Sequence, residues 1–317
     1  MTVSDVLLYT FDAVIWSMFA FSFYNLRDHP DALHYAGVGF AASCVIQFLT
    51  DRLGPWYDLL CLNSKELSKD MLEKNRQKFG VQHMTLAECV TSVVLQYYLF
   101  TTPGSSLYHW WEDTTTLWVD APLDPTLNIF YALLIGRWVE GALYYRLAEA
   151  QNKDFLVMYL HHVVTIVLIC GSFLMGQTRI GTVILFLHQV SDIVLAVCQI
   201  CHYLAFDFDH TPIPAAELLF ICNLISWVIT RLYVYPTYVL RSTWQERKIA
   251  PFCAGEYGAA CDVLGCFACV LQVMHVYWFY EMCMVLVKLA SGAGATAAGE
   301  NYLGGDEVEA AKKKKKR

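Results

Sequence analysis

Blocks of about 20 apolar residues recur along this chain, near 6–24, 34–50, 86–103, 127–146, 155–176, 180–206, 213–240 and 262–287, and their length dictates the solvent in which it can fold. A helix rising 1.5 Å per residue needs roughly 20 residues to cross a hydrocarbon core of ~30 Å. Inside lipid every backbone amide must be satisfied within its own segment, so the blocks are helices. They are too long and too little alternating for a β-barrel. Composition agrees, since 56% of the 317 residues are hydrophobic and 16% charged, against about a quarter charged in soluble domains. The expected fold class is an all-α integral membrane protein, a bundle of seven to eight transmembrane helices. The second block is short, flanked by Asp31 to His34 and Gln47, so eight spans and seven spans plus an interfacial segment both stay open.

The formal charge of −7 hides a uniformly basic terminal block, Lys312 to Arg317. Lys and Arg also sort by loop, as they do when short cytoplasmic loops retain them. The segment 51–85 holds Arg52, Lys65, Lys69, Lys74, Arg76 and Lys78, whereas 104–126 holds Glu112, Asp113, Asp120 and Asp124 and no basic residue. With eight spans both termini and 51–85 face the cytosol, and 104–126 faces the lumen. The loop 241–261 is an exception, because it would be lumenal yet carries Arg241, Arg247 and Lys248. The N-terminus has Asp5 where a basic n-region would sit, which argues against a cleaved signal peptide. The end Lys314-Lys315-Lys316-Arg317 resembles a dilysine retrieval signal of the endoplasmic reticulum; a polybasic lipid-contacting tail is the alternative. The 12 cysteines lie mostly in apolar blocks and read as small hydrophobes without a disulfide framework. Cys198/Cys201 and Cys266/Cys269 have ligand-like spacing but no polar surround, so no metal and no cofactor is expected. Tyr108, Trp110, Trp111 and Trp118 read as an interfacial aromatic belt.

An ionisable side chain at membrane depth costs at least ~2.5 kcal/mol on insertion scales, which makes each one a functional hypothesis. They cluster in the fifth and sixth spans, as His161, His162 and Thr165 and then His188, Gln189, Ser191 and Asp192. A short turn at Met175 to Arg179 makes these spans an antiparallel hairpin, which puts His162 level with about residue 192, to within one turn. His161 and Thr165 share one helix face, and so do His188 and Asp192. A carboxylate beside imidazole fixes the tautomer and stabilises the imidazolium, as a general base requires. Inter-helical hydrogen bonding is the structural alternative for a lone histidine. Two adjacent histidines facing His, Ser and Asp point to chemistry. Glu88, Arg137, Glu140, Glu217, Arg231, His275 and Glu281 are also at or near membrane depth and receive no catalytic role from sequence.

The strings Lys153-Asp-Phe-x-x-Met-x-x-His-His-x-x-Thr165, Arg179-x-Gly181 and His188-x-x-x-Asp192 resemble the signature of ceramide synthases within the TLC-domain family. Weaker agreement extends over about 80 to 290 through Glu88, Tyr131 to Tyr145, Arg231-x-x-x-Tyr-Pro236 and His275-x-x-Trp278. The resemblance implies the TLC-domain fold, with N-terminal spans over 1–50, a charged cytosolic loop over 51–85, a catalytic domain of six helices over 86–288, and a cytosolic tail over 289–317. It implies acyl transfer from fatty acyl-CoA, a co-substrate, to the amine of a sphingoid base in the endoplasmic reticulum membrane. The partners implied are acyl-CoA, the sphingoid base and membrane lipid, with no nucleic acid, and a homodimer is possible. His161 and His162 map to the family's essential histidines. Asp192 and His188 complete the catalytic set, and Tyr159, Thr165, Arg179, Gln189 and Ser191 are assigned to substrate binding. Where the family has Asp after the second-segment histidine this chain has Gln189, so any orienting task falls to Asp192. The homeobox-like insert of many animal members is absent, and 241–261 corresponds to the loop that influences chain length in the family.

A long-chain amine must lose a proton before it attacks a thioester, which calls for a base titrating near neutrality, and histidine fits. An imidazolium, Thr165 or Tyr159 could donate to the oxyanion. General-base attack and an acyl-imidazole intermediate are both compatible with these residues. A TLC-fold lipid sensor or membrane-organising protein without acyltransferase activity is the rival reading, with Gln189 as its best support. A proton-coupled transporter would show inverted repeats or matching broken helices, and neither is evident. A di-iron desaturase would need many more spaced histidines.

Overall fold

The computed structural model describes residues 30–50, 54–60, 69–119, 125–148, 155–204, 215–255 and 257–290, together with Ser17 and Arg52. The first apolar block, near 6–24, and the dilysine-like end lie outside the described residues. All the remaining blocks are helices: α1 (Pro30–Thr50), α3 (Lys69–Thr101), α4 (Pro125–Ala148), α5 (Phe155–Leu174), α6 (Thr178–Tyr203), α7 (Ala215–Trp227) and α8 (Gly258–Ala290), with the short α2 (Gly54–Leu60) ahead of α3. No strand occurs among the described residues.

Five segments are long and apolar enough to cross a membrane: Pro30–Leu49, Phe155–Leu174, Thr178–Tyr203, Leu218–Ile249 and Gly258–Val287. The second block, the shortest in sequence, is among them. Helices α3 and α4 are long as well but more polar, carrying Glu88 on one and Arg137 and Glu140 on the other. Those charges neutralise one another: Arg137 Nε donates to Glu88 at 2.7 Å and Nη1 to Glu140 at 3.1 Å. Outward faces are apolar, with Val94, Val273 and Val287 all more than half exposed, as lipid contact requires.

Helix α6 is the hub, packed on α3, α7 and the stretch that follows α7, whereas α5 packs on α4 and α8. The link between α5 and α6 is tight. Gly176 adopts the left-handed region (φ 66°) and Gln177 N–H donates to the Ser172 carbonyl at 2.7 Å, the long-range bond of a glycine-terminated helix. Beyond that turn the two helices diverge around a cavity. Gly181, in the first turns of α6, is set by a close approach, because a Cβ there would overlap the Tyr131 hydroxyl, itself hydrogen-bonded to Ser172 Oγ at 2.6 Å.

Past Trp227 the seventh helix widens into a π-helical stretch, Val228–Leu240, that contains Pro236. Proline has no N–H to give and its ring crowds the preceding turn, so the wider spiral accommodates it, and it aims Arg231 at α6.

At the turn end of the bundle, two connecting segments lock together. Asp113 caps the 3-10 helix Thr114–Trp118, and the Thr115 hydroxyl and backbone N–H that it accepts hold its carboxylate below the usual range. Thr114 Oγ1 then donates to Glu246 at 2.7 Å, and Trp118 Nε1 to Ser242 Oγ at 2.5 Å. Arg241 pairs with Glu246, and Arg247 with Asp262, so two of the three cations that looked out of place in 241–261 are neutralised locally. Two sequence expectations are corrected here. Cys253 and Cys261 form a disulfide, so not every cysteine is an apolar filler. Trp110 and Trp118 are buried, 4% and 3% exposed, because their loop folds inward; only Tyr108 and Trp111 keep the exposure of a belt.

Candidate active site

A cavity lies between α5 and α6. His161, Thr165, Leu168, Ile169 and Ser172 line it from α5, which is one face of a helix at i, i+4, i+7, i+8 and i+11. From α6 come Ile180, Gly181, Ile184, Leu185, His188 and Asp192, again one face, and α8 closes the far side. The same-face expectations for His161 with Thr165 and for His188 with Asp192 therefore hold.

The two adjacent histidines do different things. His161 lines the cavity, boxed by Trp138, Trp278 and the His188 ring at centroid distances of 5.9, 5.3 and 6.4 Å. Its Nδ1 is buried without a hydrogen-bond partner. His162 points about a quarter turn away. Its Nδ1 donates to the Met158 carbonyl at 2.8 Å, its ring stacks on Tyr145 at 5.2 Å, and it does not line the cavity. Across the hairpin the ring that His161 meets is His188.

Helix α6 presents its polar groups already engaged. His188 Nδ1 donates to the Ile184 carbonyl at 2.7 Å, which leaves Nε2 as the acceptor for a proton on His275 Nε2, 2.8 Å away. His275 is fully buried on α8. Asp192 is ion-paired with Arg231, whose Nε also donates to Ser191 Oγ at 2.8 Å and whose Nη2 reaches the His188 carbonyl at 3.1 Å. The guanidinium lies over Trp227 at 3.9 Å. No histidine is the hydrogen-bond partner recorded for the Asp192 carboxylate.

The remaining candidates scatter. Thr165 lines the cavity with a buried Oγ1 lacking a partner. Tyr159 lies on another face of α5, in a cluster with Phe155, Val163 and Val167. Arg179 donates to the Val119 carbonyl and latches the start of α6 to the loop after α3. Gln189 is buried off the cavity with Oε1 unpartnered, and Ser191 is wholly buried against Arg231. Arg231 and His275 received no role from sequence, and Trp138 and Tyr131 were not singled out. A charge tally was the available signal for Arg231, since an Asp at the depth of the central spans needs a cation. Among the described residues no group of His, Cys, Asp and Glu is arranged to hold a metal ion.

Residues 78–284 match the family model of the TLC domain. Ceramide synthase LOH2 of Arabidopsis thaliana is 30% identical over 178 residues, 56% of this chain and 58% of that protein. Ceramide synthase 5 of Homo sapiens is 31% identical over 186 residues, 56% of this chain and 44% of that protein. Ceramide synthase hyl-2 of Caenorhabditis elegans is 30% identical over 190 residues, 56% and 54% respectively. The chain thus spans about half the length of these relatives. The matched region contains most or all of each of the six described long helices α3 to α8, together with the whole histidine-lined cavity, and the chain belongs to the TLC-domain family.

Proposed function

We propose that this protein transfers a fatty acyl group from acyl-CoA to the amine of a sphingoid base, with His161 as the reacting side chain. The observation that carries the reading is an imidazole whose buried Nδ1 has no hydrogen-bond partner, lining a cavity whose walls are mostly apolar. An acyl chain needs an apolar slot, and a thioester needs a nucleophile or base at its mouth. His161 lies six residues into α5, about 9 Å from its start, so a soluble CoA head group can stay outside while its acyl chain enters.

The chemistry follows from the imidazole at the cavity. In direct attack, the ammonium loses one proton to solvent, the freed amine adds to the thioester carbon as His161 Nε2 takes its next proton, the C–S bond breaks, and the imidazolium returns that proton to the departing CoA thiolate. In the two-step route, Nε2 itself adds to the carbonyl, the C–S bond breaks to give an acyl-imidazole and CoA thiolate, and the amine, having lost one proton to solvent, then displaces the imidazole and passes its next proton to the thiolate. Intact-mass measurement after mixing protein with acyl-CoA alone separates the two: an acyl adduct lost in His161→Ala assigns the second, and turnover without an adduct the first. Asp192, neutralised by Arg231, acts as a fixed part of the wall in this reading. His162, stacked outside the cavity, holds the α4–α5 contact that positions its neighbour.

Orientation in the endoplasmic reticulum membrane is part of the proposal. Lys69, Lys74, Arg76 and Lys78 lie on the first turns of α3, at the histidine end, which is the cytosolic signature. A disulfide at the turn end is supported by an oxidising compartment. Both support CoA entry from the cytosol and, with seven or eight spans, a cytosolic C-terminus. Purified protein given sphinganine and a panel of acyl-CoAs is the test. Amide formed by wild type and lost in His161→Ala supports the reading; no amide from any acyl-CoA turns it toward the lipid-sensor alternative.

A further inference from the structure

The histidines line one end of the cavity, and the side chains at its other end include some that belong to neither hairpin helix. From His161 to Ser172 on α5 the lining spans 11 residues, or about 16 Å, and from Ile180 to Asp192 on α6 12 residues, or about 18 Å. Leu168, Ile169, Ile184, Leu185, Ala268 and Leu271 make the length between apolar. At the turn end the lining includes Trp118, with Gln177, Thr243, Arg247 and Cys261.

Trp118 is held as a rigid wall. Only 3% of it is exposed, and its indole N–H donates to Ser242 Oγ, itself fully buried. The residue after it is gripped by Arg179 through the Val119 carbonyl, and the helical turn before it is capped by Asp113 and tied to Glu246 through Thr114. A planar ring pinned by hydrogen bonds on both sides of its backbone leaves no soft path onward for a chain.

Resting on the acyl-transfer reading, we propose that Trp118, fixed by Ser242, is the stop that measures the acyl chain: the site takes a chain about as deep as one leaflet of a ~30 Å hydrocarbon core, roughly 16 carbons, and excludes very long chains. The specificity determinant thus comes from the loop after α3 and acts by position, independently of the histidine end.

The test uses the full-length protein with two readouts, thermal stabilisation by dodecanoyl-, palmitoyl- or lignoceroyl-CoA, and amide formation with sphinganine. Wild type is expected to bind and use palmitoyl-CoA at least about tenfold better than lignoceroyl-CoA, as a pocket that rejects added methylenes does. Trp118→Ala is expected to raise the lignoceroyl-to-palmitoyl ratio about tenfold. Ala268→Leu, seven residues and about 10 Å from Cys261 along α8, is expected to shift preference toward dodecanoyl-CoA. A purely structural role for Trp118 would lower all three substrates alike and leave the ratio fixed, which overturns the proposal, as does equal use of palmitoyl- and lignoceroyl-CoA by wild type. Trp118→Phe and Ala268→Leu read the same ratio should Trp118→Ala fail to fold. Amide without a length limit sinks the stop and leaves the reaction standing; a binding limit moved by Trp118→Ala without any amide keeps the stop and sinks the reaction.

Discussion

At the histidine end, α5 and α6 bring polar side chains to the two sides of one cavity, and His161 and Thr165 on one differ in hydrogen bonding from His188 and Asp192 on the other. On α5, His161 Nδ1 and Thr165 Oγ1 have no partner. On α6, His188 is bonded to Ile184 and His275, Ser191 to His188 and Arg231, and Asp192 to Arg231. A buried polar group without a partner costs on the order of 1–3 kcal/mol, and such groups persist where a ligand will supply the missing interaction. A fully engaged set instead holds three helices in register. In the proposed reaction the α5 wall is therefore the reactive one and the α6 wall the scaffold.

The sharpest way to break this contrast is to remove one ring from each side. His161→Ala is expected to lower amide formation by on the order of a thousandfold, measured as initial rate with palmitoyl-CoA and sphinganine, with an unchanged melting temperature in detergent. Equal activity in that variant would leave the α5 wall without its role. On the other side, Asp192→Ala strands the Arg231 cation, and the cost is about 3–5 kcal/mol of stability. Thermal unfolding should show partial recovery in the double variant Asp192→Ala/Arg231→Met; a stable single variant would mean that the α6 network is no scaffold. Reducing the Cys253–Cys261 bond, which closes a short loop, is expected to remove about 2–3 kcal/mol. Hydrogen exchange should place that loss in 241–261 and spare the histidine end, since the two are separated by the length of the cavity. The smallest effect is expected at Gly181→Ala, where overlap with the Tyr131 hydroxyl costs about 1–3 kcal/mol. Tyr131→Phe should relieve part of it, and a Gly181→Ala protein as stable as wild type would show that the α4–α6 approach is looser than the geometry requires.

Much of the molecule was legible beforehand for specific reasons. Seven of the eight apolar blocks appear as helices because block length is a local property set against a fixed bilayer thickness. The tight α5–α6 link was legible as a short turn at Met175 to Arg179, and the shared faces of His161 with Thr165 and of His188 with Asp192 follow from helical periodicity alone. Depth matching across the hairpin was cruder: counting outward from the turn put His162 opposite 192, whereas His161 meets His188, because the helices splay around the cavity. Trp118 read as belt because an aromatic residue in an acidic loop gives no sign that the loop folds under the bundle. The disulfide was hidden for a related reason, since sequence does not show that the chain turns back at Gly255 and brings Cys253 within 5.8 Å, Cα to Cα, of Cys261.

The sequence by itself determined the membrane as solvent, the helices, and the two spans that bring polar side chains to the cavity, because hydropathy and the 3.6-residue repeat are written locally. Tertiary structure alone decided that His161 and not His162 meets the cavity, since neighbouring residues on a helix point about 100° apart and the choice depends on where α4, α6 and α8 stand. It also decided that Asp192 answers Arg231, from a helix some forty residues away, before any histidine.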